Sequence, residues 1–527
     1  MNLFVFFCFS ARLFCLKDKK IFRAFFFRGW KKIGRGYTAS VDFDGGKIMI
    51  TFCIGLIILF AGGFFYSRRV DNIFGPDDRQ TPAYTMENGV DFVPMSEKQN
   101  ALIQFLNIAG TGPILGPILG ILFGPVAFIL IPLGNIFGGA VHDYFCGMIS
   151  MRHNGEQMPQ LVKRYLGAKT YNVYNVFLCL ALFLVAAVFL YLPGDLFVEQ
   201  IAGKKASVSE PLLWIVYGVI FFYYMLAMLF PIDKIIGRVY PLFGGLLLIS
   251  SAAIGVCLFV EGYPLDELNF SNWKGLYPNG DALVPMFFVT VACGIVSGFH
   301  ASQTTLISRT LESERQGRFV FYGMMVMEGL VAMIWAAAAM GLYNKGIDPA
   351  HVGKPAVVGL VSKDLLGVYA GMVAIFGMII LPITSGDTAL RAMRLIIAEN
   401  LNIDQKPKKN RLAITIVMLA GVAFLLYFAK SNGGQFIKLW RYFAWSNQTL
   451  AVFTFTIIAM YLIKQGKTFL FVLVPGTFYL FVISSYILHQ EIGFGLSDAV
   501  SYGLAAALSV VYVAGVFWKN RVTNKKN

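Results

Sequence analysis

The chain has 527 residues, of which 57% are hydrophobic and 14% charged, with a mean hydropathy of +0.65. Soluble domains carry about 25% charged residues, so this composition excludes an ordinary soluble enzyme and defines a polytopic membrane protein. The formal net charge of +15 is explained by basic loops without invoking nucleic acid, and seven scattered cysteines without CxxC spacing argue against a metal ribbon or a disulfide framework.

In chain order, residues 1–48 hold ten Lys/Arg against three Asp, with runs such as FVFFCF and KDKK and no clean helix. Met49 directly precedes the first good span, ITFCIGLIILFAGGFFY. Residues 1–48 are therefore read as a mispredicted upstream extension, with Met49 as the start. The alternative is a short extra membrane segment from Asn2 to Leu16.

A spanning helix needs about 20 apolar residues. About thirteen candidates follow, at 48–66, 101–122, 124–150, 173–193, 211–230, 239–261, 283–307, 319–342, 365–384, 410–429, 437–462, 467–488 and 498–518. Basic loops occur at Arg152 to Lys169, Asp233 to Arg238, Arg309 to Arg318, Arg391 to Arg411 and Lys464 to Lys467, and in the tail from Lys519. The loop from Glu261 to Asp281 is acidic. Lys and Arg concentrate on the cytoplasmic side, so thirteen spans put the C-terminus and the loop Ser67 to Asn100 in the cytoplasm.

Two spans are interrupted by glycine and proline: NIAGTGPILGPILG, Asn107 to Gly120, and VACGIVSGFHASQTT, Val291 to Thr305. Membranes tolerate irregular backbone only where protein or water satisfies the freed peptide groups, and such a pair marks a transporter's binding site. The breaks fall on the second and seventh spans, five apart, so the two run in opposite directions. That interval resembles the LeuT/APC-like arrangement, an all-α five-plus-five inverted repeat with two broken helices. Residues 49–100 then form the first helix and a cytoplasmic loop, 101–261 and 283–462 the two repeats, and 467–527 the C-terminal helices and basic tail. The plain alternative is that the glycines only let helices pack closely.

The motifs carry a resemblance as well. NIAGTGPILGPILG with GGAVHDYFCGMISMRHNGEQMP, FGPDDRQTPA at Phe74 to Ala83, CGIVSGFHASQTT at Cys293 to Thr305, YGMMVMEGLVA at Tyr322 to Ala332, and Ser446 to Gln448 resemble the carbon starvation protein A family of bacterial inner-membrane transporters. The resemblance covers about residues 49–460. It implies a secondary transporter that takes up peptides or pyruvate under carbon starvation, with protons, in the bacterial inner membrane. LPITSGDTALRAMR at Leu381 to Arg394 matches the family's threonine-rich acidic segment only in part, which leaves the substrate open.

Ionisable residues inside a span are functional candidates by default. At 1.5 Å per residue, His142 and Asp143 lie about 15 Å from Arg152, Glu328 about 15 Å from Arg318, and His300 about 13 Å from Arg309. All three depths are near mid-membrane, so these groups are the candidates for proton coupling; a buried structural network is the alternative, and His300 alone would serve to cap the break. A substrate carboxylate is expected at the half-helix amides of Thr111, Gly112, Ile114 and Leu115, facing Gly294 to Ser297. Ser302, Thr304 and Thr305 are further hydroxyl ligands unless they bond their own helix. Thr384 and Ser385, near the cytoplasmic end of the ninth span, are the possible sodium ligands, and Ser446, Asn447 and Gln448 either contact substrate or join helices.

No cofactor or metal site is expected: no His pair has ligand spacing on one helix, and there is no CxxCH or phosphate-binding loop. A haem or metal-binding redox protein, a sensor without transport and a nucleotide-driven pump are the weaker readings. The expected partners are a small-molecule substrate, a proton or sodium ion, and the lipid bilayer, with no nucleic acid.

Overall fold

The structure is a computed structural model that describes residues 49–89, 91–229, 233–273, 282–346, 355–404, 407–431, 436–491 and 493–524. The segment 1–48, read above as an upstream extension, and the end of the acidic loop at Asp281 lie outside the described residues. Among the described residues the regular structure is helical, apart from one isolated parallel bridge between Met95 and Leu311.

Helix α1 (Ile50–Phe74) leads into a loop and then α2 (Glu97–Ile108), whose start carries a capping box of Ser96 and Gln99. Helix α3 (Gly112–Gly120) continues α2 at a 50° bend. Next come α4 (Ala127–Gly134) and α5 (Ala140–Arg152), fused through a π turn at Asn135–Gly139. A short amphipathic α6 (Met158–Leu166) precedes α7 (Ala168–Leu196), α8 (Pro211–Leu229) and α9 (Asp233–Glu261). The second half opens with α10 (Leu283–Thr290), an irregular stretch and α11 (His300–Ile307), and then α12 (Met324–Asn344). Helices α13 (Ala356–Asn400), α14 (Lys408–Ser431), α15 (Phe436–Lys464), α16 (Leu470–His489) and α17 (Asp498–Asn524) complete the bundle.

Among the described residues ten helices are long and apolar enough to cross a membrane, or eleven if the bent pair α2–α3 is one span. The difference from thirteen lies at 124–150 and 283–307. In the first, Pro132 and the π turn divide the segment and polar residues follow. The second is split into pieces of eight, four and eight residues. Helix α13 also runs well beyond the expected 365–384, with a kink at Gly367 (φ +75°).

Burial separates the centre from the rim. The apolar stretches that include α12 and α15 are 94% and 89% buried, whereas those of α1 and α17 are 28% and 22% buried and present Leu, Val and Phe outward. Apolar exposure of that kind suits lipid rather than water.

The two ends of the bundle differ chemically. At one end Glu267 accepts the Ile50 and Thr51 amides at 2.8 Å each and caps α1, and Asn344 donates to Asp266. At the other, the GPDDR loop after α1 meets Arg152 and the segment before α12. Arg152 grips the buried Glu314 with two hydrogen bonds of 2.9 Å, the Asp77 amide donates to Glu314, and Arg315 pairs with Asp78. Arg152 also stacks 4.1 Å over the Phe74 ring, and Lys467 donates to the Phe74 carbonyl. This clasp joins residues more than 230 positions apart.

Candidate functional site

The two breaks lie against each other. Helix α3 presents Gly112, Gly116 and Gly120, spaced four apart and so on one face, to the broken stretch of the seventh span. A Cβ at Gly112 would meet Cys293 Cβ at 2.6 Å, one at Gly116 the Thr290 carbonyl at 3.1 Å, and one at Gly120 the Val291 side chain at 2.5 Å. Close packing is therefore part of what the glycines do, beside the break itself. In the facing segment Cys293 is extended, Gly294 takes φ +93° and Val296 is extended again, so the helix cannot continue. Only glycine adopts the Gly294 conformation without strain.

An unwound segment inside a membrane needs substitute hydrogen bonds, and neighbouring spans supply them. From the π turn, Asn135 donates to the Gly294 and Met325 carbonyls, both at 2.9 Å. From α15, Asn447 accepts the Phe299 amide at 2.7 Å and donates to Ser297 Oγ at 2.8 Å, while its own carbonyl accepts the Gly298 amide. Trp440 and Gln448 donate to the Thr290 and Phe288 carbonyls. Helix α15 is thus a splint along the broken span. Of these residues, Asn135 and Trp440 carry no sequence motif that would have singled them out; the expectation for Asn447 and Gln448 resolves to helix joining, and Ser446 bonds the Phe443 carbonyl.

Beside the break, α5, α11 and α12 bring four ionisable groups together. Asp143 Oδ1 lies 2.8 Å from His142 Nδ1, and Asp143 Oδ2 lies 3.1 Å from His300 Nδ1. On the far side of its ring, His300 Nε2 stands 3.7 Å from Glu328 Oε1. His142, Asp143 and Glu328 are fully buried and His300 is 3% exposed. Neither Glu328 oxygen, nor His142 Nε2, nor Asn135 Oδ1 in the π turn, nor Thr111 Oγ1 at the first break has a hydrogen-bond partner. Buried polar atoms left unpaired are rare and call for a reason. An ionised Asp143 can only accept, so in that state both imidazoles turn an Nδ1 donor toward it, while the 3.7 Å between His300 Nε2 and Glu328 Oε1 is longer than a hydrogen bond.

Several expected ligands are otherwise engaged. The Ile114 and Leu115 amides already donate to the Thr111 carbonyl, because Thr111 itself adopts helical angles, and Pro113 has no amide proton. The Thr111 and Gly112 amides take no part in these bonds. Ser302, Thr304 and Thr305 bond carbonyls of their own turn, while Ser297 is held by Asn447. Thr384 donates to the Leu381 carbonyl, and beside Ser385 Gly386 packs on Tyr224 and Phe189. Among the described residues no group of three or more His, Cys, Asp or Glu is arranged to hold a metal ion. One buried ion pair escaped the sequence reading: Lys430 and Asp195, 2.5 Å apart, with Tyr217 donating to the same carboxylate. Each stands singly near a helix end, so neither pattern reveals the other.

A helical bundle of this kind, with broken spans meeting beside buried ionisable groups, is a membrane transporter, and its relatives agree. The family described as "Carbon starvation protein CstA" matches residues 47–239, 194–359 and 355–485. The chain belongs to that family. It is 41% identical over 337 residues to an uncharacterized membrane protein of Haemophilus influenzae, covering 56% of this chain and 90% of that one. It is 24% identical to the peptide transporter CstA of Helicobacter pylori over 74% of each chain. It is also 27% identical to the pyruvate/proton symporter BtsT of Escherichia coli, over 54% of this chain and 48% of that protein. In fold it is similar to the crystal structure of a manganese transporter from Eremococcus coleocola, with TM-score 0.51, 12% identity and coverage of 82% and 95%.

Proposed function

We propose that the protein is a proton symporter of small carboxylate-bearing nutrients, peptides or pyruvate, in the bacterial inner membrane with its C-terminus in the cytoplasm. The spans would form two five-helix repeats of opposite orientation, with the solute bound between the breaks. The observation that carries this reading is Asp143 bridging His142 and His300, with Glu328 beyond. Carrying net charge through hydrocarbon is costly, and the charge of this cluster is set by how many protons two carboxylates and two imidazoles share. The cluster touches the break directly: His300 opens α11, one residue after the segment held by Asn447. A proton moving between His300 and Glu328 would therefore alter the start of α11, at the end of the broken stretch whose other end faces α3. The relatives' names, one a peptide transporter and one a pyruvate/proton symporter, supply the substrate classes. The alternating basic loops supply the orientation.

The test is uptake by proteoliposomes of labelled pyruvate and of labelled di- and tripeptides, under an imposed proton or sodium gradient. Accumulation of one substrate class driven by an inward proton gradient is expected. Accumulation that follows sodium and ignores protons would reject the reading.

A further inference from the structure

Beside the ionisable cluster, two rows of small polar side chains face each other along the contact of α5 with α11. On α5, Asp143, Cys146 and Ser150 are three and four residues apart; on α11 and at its C-cap, His300, Thr304 and Ser308 are four apart. Such spacing keeps each set on one helix face. Contacts at both ends set the register: Asp143 Oδ2 lies 3.1 Å from His300 Nδ1, and Ser150 Oγ lies 2.8 Å from Ser308 Oγ. Between them, the Cys146 thiol stands beside the hydroxyls of Thr304 and, from α15, Thr454. That thiol is turned to Met158 Sδ, 3.5 Å away, which leaves the middle of the row to the hydroxyls. Ser150, Thr304 and Ser308 are fully buried. Ser150 lies seven residues from Asp143, about 10 Å nearer the basic-loop end. There it also reaches the Glu156 carbonyl, in a turn whose Asn154 is exposed. The ionisable groups at this turn are His153, held by the Ile149 carbonyl and Tyr165, Arg309, which donates to the Gly155 carbonyl, and Glu156, paired with Arg164.

The two serines are arranged to pass a proton. Each has one hydroxyl proton and two acceptors for it: Ser150 has the Glu156 carbonyl and Ser308, and Ser308 has the Thr305 carbonyl and Ser150. A hydroxyl hydrogen rotates to suit such partners, so the bond between the serines can run in either direction. We infer that this row is the proton route between the buried cluster and the cytoplasm, with water bridging its one-turn steps. A step of four residues is about 6 Å, too long for a direct hydrogen bond and the span of one bridging water. Each hydroxyl receives a proton on a lone pair and gives up its own, so one O–H bond forms as another breaks and the row stays neutral. The proton ends on water at the Glu156 turn. The route rests on the proton symport proposed above and adds the path by which its protons leave.

The experiment uses the full-length protein in proteoliposomes that carry an internal pH dye, with labelled pyruvate and labelled dialanine as the probes. Thr304→Val keeps the side chain's shape and removes the hydroxyl, Thr304→Ser keeps the hydroxyl, and Ser150→Ala combined with Ser308→Ala removes the last rung. Thr304→Val and the double serine variant should each slow substrate-driven internal acidification about tenfold, the rate equivalent of one lost hydrogen bond. Counterflow of the same probe, which needs no net proton release, should persist, and Thr304→Ser should acidify like wild type. Melting curves show which variants fold, and if one rung's variant does not, the other decides. Acidification at the wild-type rate in a folded Thr304→Val or double serine variant, or equal loss of acidification and counterflow, would overturn the route while leaving proton symport intact. A wild type that moves a probe without protons would overturn the symport reading and the route with it.

Discussion

His300 Nδ1 lies 3.1 Å from Asp143 Oδ2, a contact between residues 157 positions apart that ties the start of α11 to α5. It makes a histidine at the edge of a helix break part of a buried charge network. If that network couples protons to transport, Asp143→Asn should uncouple the two. Proton-driven accumulation should fall at least about tenfold, in the range of typical coupling energies, while solute exchange down its own gradient persists. Counterflow and gradient-driven uptake measured on the same proteoliposomes separate the two. Equal loss of both would make Asp143 a folding residue.

The contact of Gly112 with Cys293 predicts a reciprocal pair of effects. Gly112→Ala should lower transport sharply, because its Cβ would sit 2.6 Å from Cys293 Cβ and 2.7 Å from Sγ. Adding Cys293→Gly removes both opposing atoms and should restore much of the rate. Initial rates of the single and double variants provide the check, with no rescue expected if the two breaks do not meet.

Asn447 carries three of the bonds that replace helical ones in the seventh span. Its backbone carbonyl survives substitution, so Asn447→Leu removes two, at about 1 kcal/mol each, and leaves the part-buried Phe299 amide unpaired at a further cost of about 1 kcal/mol. Asn447→Gln keeps both a carbonyl acceptor and an amide donor without adding charge and should destabilise less. Thermal unfolding in one detergent ranks the two variants.

The clasp at the basic end has a definite pH signature. The Arg79 guanidinium hydrogen-bonded to Asp77 holds that carboxyl well below the usual range, and the hydrogen bond from Arg315 lowers that of Asp78. A carboxyl with a depressed folded value stabilises the fold above its unfolded value, and the contribution fades as pH falls through the folded value. Asp77→Asn should therefore melt lower than wild type at pH 7, with the gap narrowing once pH drops below about 3.9. Glu314→Ala, which leaves Arg152 without its buried partner, should cost about 3 kcal/mol. A pH series of melting curves tests both.

The sequence made some of these relationships readable. Glycine with proline marked the first break and glycine alone the second, since these residues interrupt a membrane helix most plainly. Helical rise alone put His142, Asp143, His300 and Glu328 at one depth. Sequence could not show that Thr111 would stay helical and consume the Ile114 and Leu115 amides, because one residue's backbone angles decide it. Nor could it show that GPDDR docks on Glu314 and Arg315, since local periodicity says nothing of partners 237 positions away. Gly112, Gly116 and Gly120 are a mixed case: their spacing is visible, but whether a break or a tight helix contact explains them depends on what lies opposite, and the structure gives both.

The most direct measurement of proton coupling at this cluster is the current or internal pH change that follows substrate addition to proteoliposomes, compared between wild type and Glu328→Gln. Proton movement with substrate in wild type, and none in Glu328→Gln while that variant still exchanges substrate, is the expected result. An unaltered proton signal in a folded, exchanging Glu328→Gln protein would contradict the role of the cluster.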